Sequence, residues 1–182
     1  QVLAEARSRG IRNLLAPRGG PPGGNSSWTP TEGGFEYSWE LVRFIRELGG
    51  FGIGVAGFPE GHIACQEGKH VDWQRLQHKV GQGADFVITQ LFFDNADFFE
   101  FQSFLRNQLG SHVTLIPGLL PILSTAQVKK FTTLCGARIP DAMMARLNEL
   151  GDDDEAVTAY GIDYCAAQCR ELLDRGVAGL HF

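Results

Sequence analysis

The sequence predicts an α/β fold built on parallel strands. Short apolar runs rich in Val, Ile and Leu alternate with amphipathic stretches at roughly 35-residue intervals, which leaves room for a helical crossover between strands. The polar residues Arg18, His62 and Gln90 follow or end the first three of these runs. Two architectures fit the alternation: an open doubly wound sheet, or an arc of a (β/α)8 barrel. Polar groups at the same end of successive strands favour the barrel, whose chemistry sits at the C-terminal strand ends.

Each element follows from its own pattern. VLAEARSRG reads as a helix stopped at Gly10, because glycine is favoured just beyond a helix end. IRNLLA is a short buried strand, and PRGGPPGGNSSWTPTEGG, rich in Gly, Pro and Ser, predicts a long surface loop. FEYSWELVRFIRELGG is an amphipathic helix with Phe35, Trp39, Leu41, Val42, Phe44, Ile45 and Leu48 on its apolar side, closed by Gly49. FGIGVAGF is the second strand. The next helix is expected to begin near Asp72 and run through WQRLQHKVGQGA to Gly81 or Gly83, followed by the strand DFVITQLFF. ADFFEFQSFLRNQLG is a helix packing through Phe98, Phe99, Phe101, Phe104 and Leu105, and VTLIPGLLP holds a fourth strand. Three helices then follow in TAQVKKFTTLCG, PDAMMARLNEL and DDEAVTAYGIDYCAAQCRELLDRG, and GLHF is a last strand.

The second strand contains a literal G-x-G-x-x-G at Gly52, Gly54 and Gly57. A phosphate-binding fingerprint needs its glycines in the turn after a strand, with a helix starting at once behind them. Here they alternate with Ile53, Val55 and Ala56, and the chain continues into FPEGH, where Pro59 favours extended backbone at Phe58. The glycines therefore read as small residues that let a neighbouring layer or a ligand come close to the strand.

Composition excludes several classes. The 182 residues are 43% hydrophobic and 20% charged, with a net charge of -5. No basic cluster exceeds a pair such as Lys129-Lys130, which argues against nucleic acid as a partner. Nothing reaches the ~18 to 20 apolar residues of a membrane span, and no signal peptide is read. Cys65, Cys135, Cys165 and Cys169 fit neither a disulfide framework nor a paired zinc site, and no metal is expected. Cys165 and Cys169, one helical turn apart, read as buried helix positions. A reducing, cytoplasmic setting follows from this cysteine usage.

NLLAPRGGPP, VAGFPEGH, KVGQGADFVITQLFFD, LIPGLLPI and GIDYCAAQCRELLDRGVAGLHF closely resemble segments of methylenetetrahydrofolate reductase, in the same order and with similar spacing. The resemblance runs from about Ile11 to Phe182, and GGFEYSWELV is similar to the eukaryotic branch. It implies a (β/α)8 barrel binding FAD at the C-terminal strand ends. Residues 1–182 would then form a single domain supplying strands four to eight, with the first three strands and the extreme C-terminal end outside it. Such an arc would expose two unpaired edges.

The implied activity is oxidoreductase chemistry of one-carbon metabolism and methionine biosynthesis. NADPH or NADH reduces FAD and leaves, and methylenetetrahydrofolate then takes the hydride to become methyltetrahydrofolate. The resemblance implies that Arg18 and Gly19 contact the flavin, with Gly20 standing where the family has Asp. Ala56 and His62 match flavin contacts, and Phe58 replaces a usual Tyr. Lys79 matches a basic residue near the FAD phosphates, a sensible place for a cation, and His78 falls in the same cofactor set. Gln90 matches a glutamine that hydrogen-bonds folate, and Phe131 an aromatic that stacks on it. Plain alternatives stand beside these assignments: Arg18 as a solvated cation, His62 as a loop cap, Gln90 as a core amide, Phe131 as helix core.

The family's proton-donating carboxylate belongs to the first strand, so no catalytic acid is assigned in this chain. Glu60 and Asp94 are the nearest acidic residues and read as structural. A carboxylate at position 20 would disfavour negative charge on the reduced flavin, so Gly20 is expected to raise the flavin potential and weaken folate reduction. The alternative function is a catalytically degenerate homologue acting as a binding or regulatory module; a flavin-free barrel enzyme is a third, weaker reading. A homo-oligomer is expected, and NADH and NADPH are not distinguished.

Overall fold

The computed structural model describes residues 1–17 and 32–182. In chain order it comprises α1 (Val2–Ser8), β1 (Asn13–Leu15), α2 (Ser38–Leu48), β2 (Gly52–Gly57), α3 (Lys69–Gly81), β3 (Phe86–Leu91), α4 (Asn95–Asn107), β4 (Thr114–Gly118), α5 (Thr125–Cys135), α6 (Asp141–Leu150) and α7 (Asp154–Asp174). The strands form one parallel sheet in the order β1-β2-β3-β4. Each strand lies beside its predecessor, with no reversal of order among the described strands. That is the succession of a barrel arc, whereas a doubly wound sheet changes direction at a switch point.

GLHF, read as a last strand, does join the sheet beside β4. It contributes a single parallel bridge, Gly118 with His181. Two hydrogen bonds hold it: Leu119 N–H to His181 O at 2.8 Å and His181 N–H to Pro117 O at 2.9 Å.

Strand alternation decides what lies on each face of the sheet. Ile53 and Val55 of β2, Val87 of β3 and Leu115 of β4 join Trp73 and Leu76 of α3 and Phe98, Phe101 and Leu105 of α4 in the main core. Burying each such side chain contributes roughly 1.5–3 kcal/mol. The register pairs Gly54 with Phe86 and Ala56 with Ile88, so the opposite face carries Gly54, Ala56, Phe86, Ile88 and Gln90. A second core of Phe93, Ile122, Val128, Met143, Leu147 and Val157 lies under the last three helices.

The strand glycines are close-packing positions. A Cβ on Gly57 would meet Val87 Cγ1 at 2.6 Å and the Phe101 ring at 3.1 Å, and one on Gly54 would run into the Phe86 ring. Gly52, Gly54 and Gly57 are not among the residues with positive φ, so the close approach of neighbouring side chains accounts for them, in line with the sequence reading of small residues that let a neighbouring layer come near.

Helices α4, α5 and α7 start from polar caps, which satisfy N–H groups left over in the first turn. Asp94 accepts from Ala96 N–H at 2.9 Å, Ser124 from Gln127 N–H at 3.2 Å, and Asp153 from Ala156 N–H at 3.0 Å. One boundary and one packing face differ from expectation. Helix α3 begins at Lys69, nearly a turn before Asp72, because Gly68 at φ 97° turns the chain into it. Helix α2 buries Val42 and Ile45, while Phe35, Phe44 and Leu48 are exposed. The packing stripe is narrower than the run of apolar residues.

Cys165 is buried in the main core with Cys169 packed against it, and all four cysteines are free. Burial, together with Cys169, pushes the Cys165 thiol up to about 11.

Candidate functional site

Parallel strands place all their C-terminal ends on one edge, and a cavity of about 700 Å³ opens there beyond β1 and β2. Pro17 follows β1, Ala56 and Phe58 come from the end of β2, and His62 comes from the loop behind it. Helix α3 supplies Asp72, Arg75, Leu76 and Lys79. These positions follow the i, i+3, i+4, i+7 spacing, so one stripe of a single helix makes a wall. The N-terminal turn of α2 brings Tyr37 and Trp39 to the same cavity, with Trp39 against His78 of α3. Glu40 fixes that turn by accepting from the N–H groups of Glu36 and Tyr37, both at 2.8 Å.

Among the described lining residues the most buried charged group is Lys79. Its Nζ donates to the Ala56 carbonyl at 2.8 Å. Burial lowers its amine from 10.5 to about 8, and the negative charge of Asp72 counters part of that fall. Burial in turn raises the Asp72 carboxyl, offset by the N–H of His62 donating to it at 3.2 Å. Lysine and carboxylate are thus both drawn out of water at the foot of the cavity.

His62 is held in one orientation. Its Nδ1 accepts from Ala64 N–H at 3.0 Å, which leaves Nε2 to carry the ring proton as a donor. Its ring meets Phe58 edge-on at 4.6 Å. Phe58 is fixed by its carbonyl, which accepts from the buried Trp73 Nε1–H at 2.9 Å. Trp39 packs edge-on against His78 at 5.3 Å and lies parallel to Tyr37 at 6.5 Å. Aromatic walls, a buried cation and a fixed N–H donor suit a flat ring system that carries an anionic group.

Five of the sequence-derived cofactor residues, Ala56, Phe58, His62, His78 and Lys79, line this one cavity. Arg18, Gly19 and Gly20 lie outside the described residues. Gln90 and Phe131 are placed elsewhere. Gln90 stands at the C-terminal end of β3, on the same face as Ala56, with its Oε1 accepting from Leu91 N–H at 2.9 Å. Phe131 of α5 lines a small apolar niche with Phe93, Leu120 and Val128.

Sequence reasoning missed Tyr37, Trp39, Asp72 and Arg75. Trp39 was counted with the packing face of α2, whereas it walls the cavity. The polar stripe Asp72, Arg75, Lys79 was the available signal for α3. Glu60 and Asp94 are engaged in an ion-pair cluster around Arg138, in keeping with structural roles. Among the described residues no group of three or more His, Cys, Asp or Glu could hold a metal, and no helix is long and apolar enough to cross a membrane.

Comparison with known proteins bears on this geometry. The family model described as methylenetetrahydrofolate reductase matches residues 1–182. "Methylenetetrahydrofolate reductase (NADH) 1" of Arabidopsis thaliana is 39% identical over 190 residues, covering 99% of this chain and 32% of that protein. "Methylenetetrahydrofolate reductase 2" of Schizosaccharomyces pombe is 37% identical over 195 residues, covering 100% of this chain and 30% of that protein. "Probable methylenetetrahydrofolate reductase (NADPH)" of Caenorhabditis elegans is 37% identical over 179 residues, covering 97% of this chain and 26% of that protein. The chain spans about a third of the length of the first two relatives.

Proposed function

The chain belongs to the methylenetetrahydrofolate reductase family, and from that premise we propose that it forms the cofactor-holding and folate-facing part of an FAD-dependent reductase. The reaction is reduction of 5,10-methylenetetrahydrofolate to 5-methyltetrahydrofolate at the expense of NADH or NADPH. The observation that carries this proposal is convergence. Ala56, Phe58, His62, His78 and Lys79, spread over 23 positions of sequence, meet around one cavity of about 700 Å³. That volume lies within the range of small-molecule and cofactor sites.

FAD, when bound, supplies the relay that takes a hydride from the nicotinamide and gives it to the folate. The protein's own groups would bind and orient. Protonated Lys79 would neutralise a phosphate from a position where water is scarce, so that its charge acts strongly. The Nε2–H of His62 would donate to a polar edge of the ring system. Trp39, Tyr37 and Phe58 would exclude water from the walls. Gln90 would turn its amide from Leu91 N–H to the folate, and Phe131 would offer an aromatic face to it.

Gly20, in place of a carboxylate, favours a second reading as a binding module with little or no folate reduction. One experiment separates the two. The native protein is examined by visible absorbance, then treated anaerobically with NADPH or NADH, then with methylenetetrahydrofolate. Yellow protein that bleaches and regains colour supports the reductase. Yellow protein that bleaches but is not reoxidised by folate supports the module. Colourless protein that takes up no added FAD refutes both cofactor readings.

A further inference from the structure

Three segments that carry the proposed ligand contacts are tied together at a single residue. Arg138 lies in the connection between α5 and α6. Its backbone N–H donates to Glu60 Oε1 at 2.9 Å, holding the loop that contains His62. Its guanidinium donates through Nη2 to Asp97 at 2.9 Å and to Asp94 at 3.2 Å, holding the start of α4 just beyond Gln90. The same connection passes close to the His62 loop again: a Cβ on Gly136 would sit 3.4 Å from Ile63. On its N-terminal side the connection continues directly from α5, which carries Phe131.

Two of the three pairs are not ordinary surface ion pairs, while the third partner, Asp94, is 39% exposed. Arg138 is 54% exposed, but Glu60 and Asp97 are 17% and 16% exposed. Burial and the neighbouring Asp97 and Asp94 raise the Glu60 carboxyl, and Arg138 counters them. Three carboxylates gathered at one place repel one another unless a cation stands between them. Removing the guanidinium would therefore leave the three carboxylates to repel one another, strained against the backbone bond to Glu60 that remains.

We propose that Arg138 is a positioning residue that fixes residues 59–63, on the cofactor side, against the elements bearing Gln90 and Phe131, on the folate side. Hydride transfer depends on the separation of the two bound rings, and this junction sets the spacing of the parts that hold them. The inference rests on the proposed reductase function.

The test uses the native protein with Arg138→Gln. Amide hydrogen exchange at residues 59–65 and 94–98 is expected to rise about tenfold. The KM for methylenetetrahydrofolate is expected to rise about tenfold, within what a misplaced positioning group produces, while the KM for NADH or NADPH stays within about twofold. A purely structural role would lower the melting temperature and the active fraction but leave the folate KM alone. An unchanged folate KM in an active variant, or exchange that quickens only at residues 136–140, overturns the proposal. If Arg138→Gln does not fold, Asp97→Asn keeps the arginine and removes one anchor; the same changes at smaller amplitude are expected, and their absence overturns the proposal. If the native protein binds no FAD and reduces no folate, the functional reading fails instead, and the exchange measurement, which needs no turnover, still judges the junction.

Discussion

Replacing Lys79 with Met removes an ammonium that the fold keeps out of water. In the folded chain its amine falls from 10.5 to about 8. Keeping the proton there at neutral pH costs roughly 3 kcal/mol, at 1.36 kcal/mol for each unit. Met retains most of the apolar stem but loses the hydrogen bond to the Ala56 carbonyl, worth about 1 kcal/mol. The ligand-free native protein should therefore gain about 2 kcal/mol at pH 7. The sign comes from proton counting. Between about pH 8 and 10.5 the unfolded chain holds the Lys79 proton more tightly than the folded one, so wild-type stability rises across that window. The variant's advantage is complete below pH 8 and fades toward pH 10.5. Binding moves the other way: FAD loses a charge-assisted bond of ~1.5–3 kcal/mol, so its affinity should fall roughly 10- to 100-fold. Urea unfolding at pH 7 and pH 10 and fluorescence titration with FAD measure the two effects. A variant less stable than wild type at pH 7, or one whose stability changes with pH in parallel with wild type, would refute the picture of Lys79 as a cation held under strain for an anionic ligand.

Gly54→Ala should cost about 1–3 kcal/mol, because its Cβ enters the Phe86 ring; the urea midpoint reads this, and Gly54→Ala with Phe86→Leu should recover part of it. Asp72→Asn removes the charge that supports protonated Lys79, so the loss of FAD affinity at rising pH should begin below about pH 8, as FAD titrations over pH 6–9 would detect. Gly20→Asp should lower the flavin potential and quicken folate reduction in single-turnover mixing; unchanged values for both would remove the role assigned to that position.

Much of the architecture was legible because it is written in local periods. Val55 alternating with glycines, and Phe98, Phe101 and Leu105 at helical spacing, mark their buried faces without reference to any neighbour. The rejection of the glycine motif as a phosphate turn was local too, resting on Pro59 and the absence of a helix start. The resemblance to a known family supplied the identity of Ala56, Phe58, His62, His78 and Lys79 as a set. Less legible were the limits of packing. Phe44 and Leu48 look apolar in sequence yet stay exposed, and the last strand-like segment forms a single bridge at His181.

The sequence by itself determined which residues form strands and helices, and which face of each element seeks burial, because those preferences act between residues a few positions apart. Only the tertiary structure decided what each face meets. Trp39 from α2 lines the same cavity as the Asp72–Arg75–Lys79 stripe of α3, and Arg138 reaches Glu60, Asp94 and Asp97 from more than 40 positions away. Those meetings depend on strand order and register, which place the ends of separate β–α units at one edge. Periodicity within a single unit carries no record of the neighbour that will stand beside it.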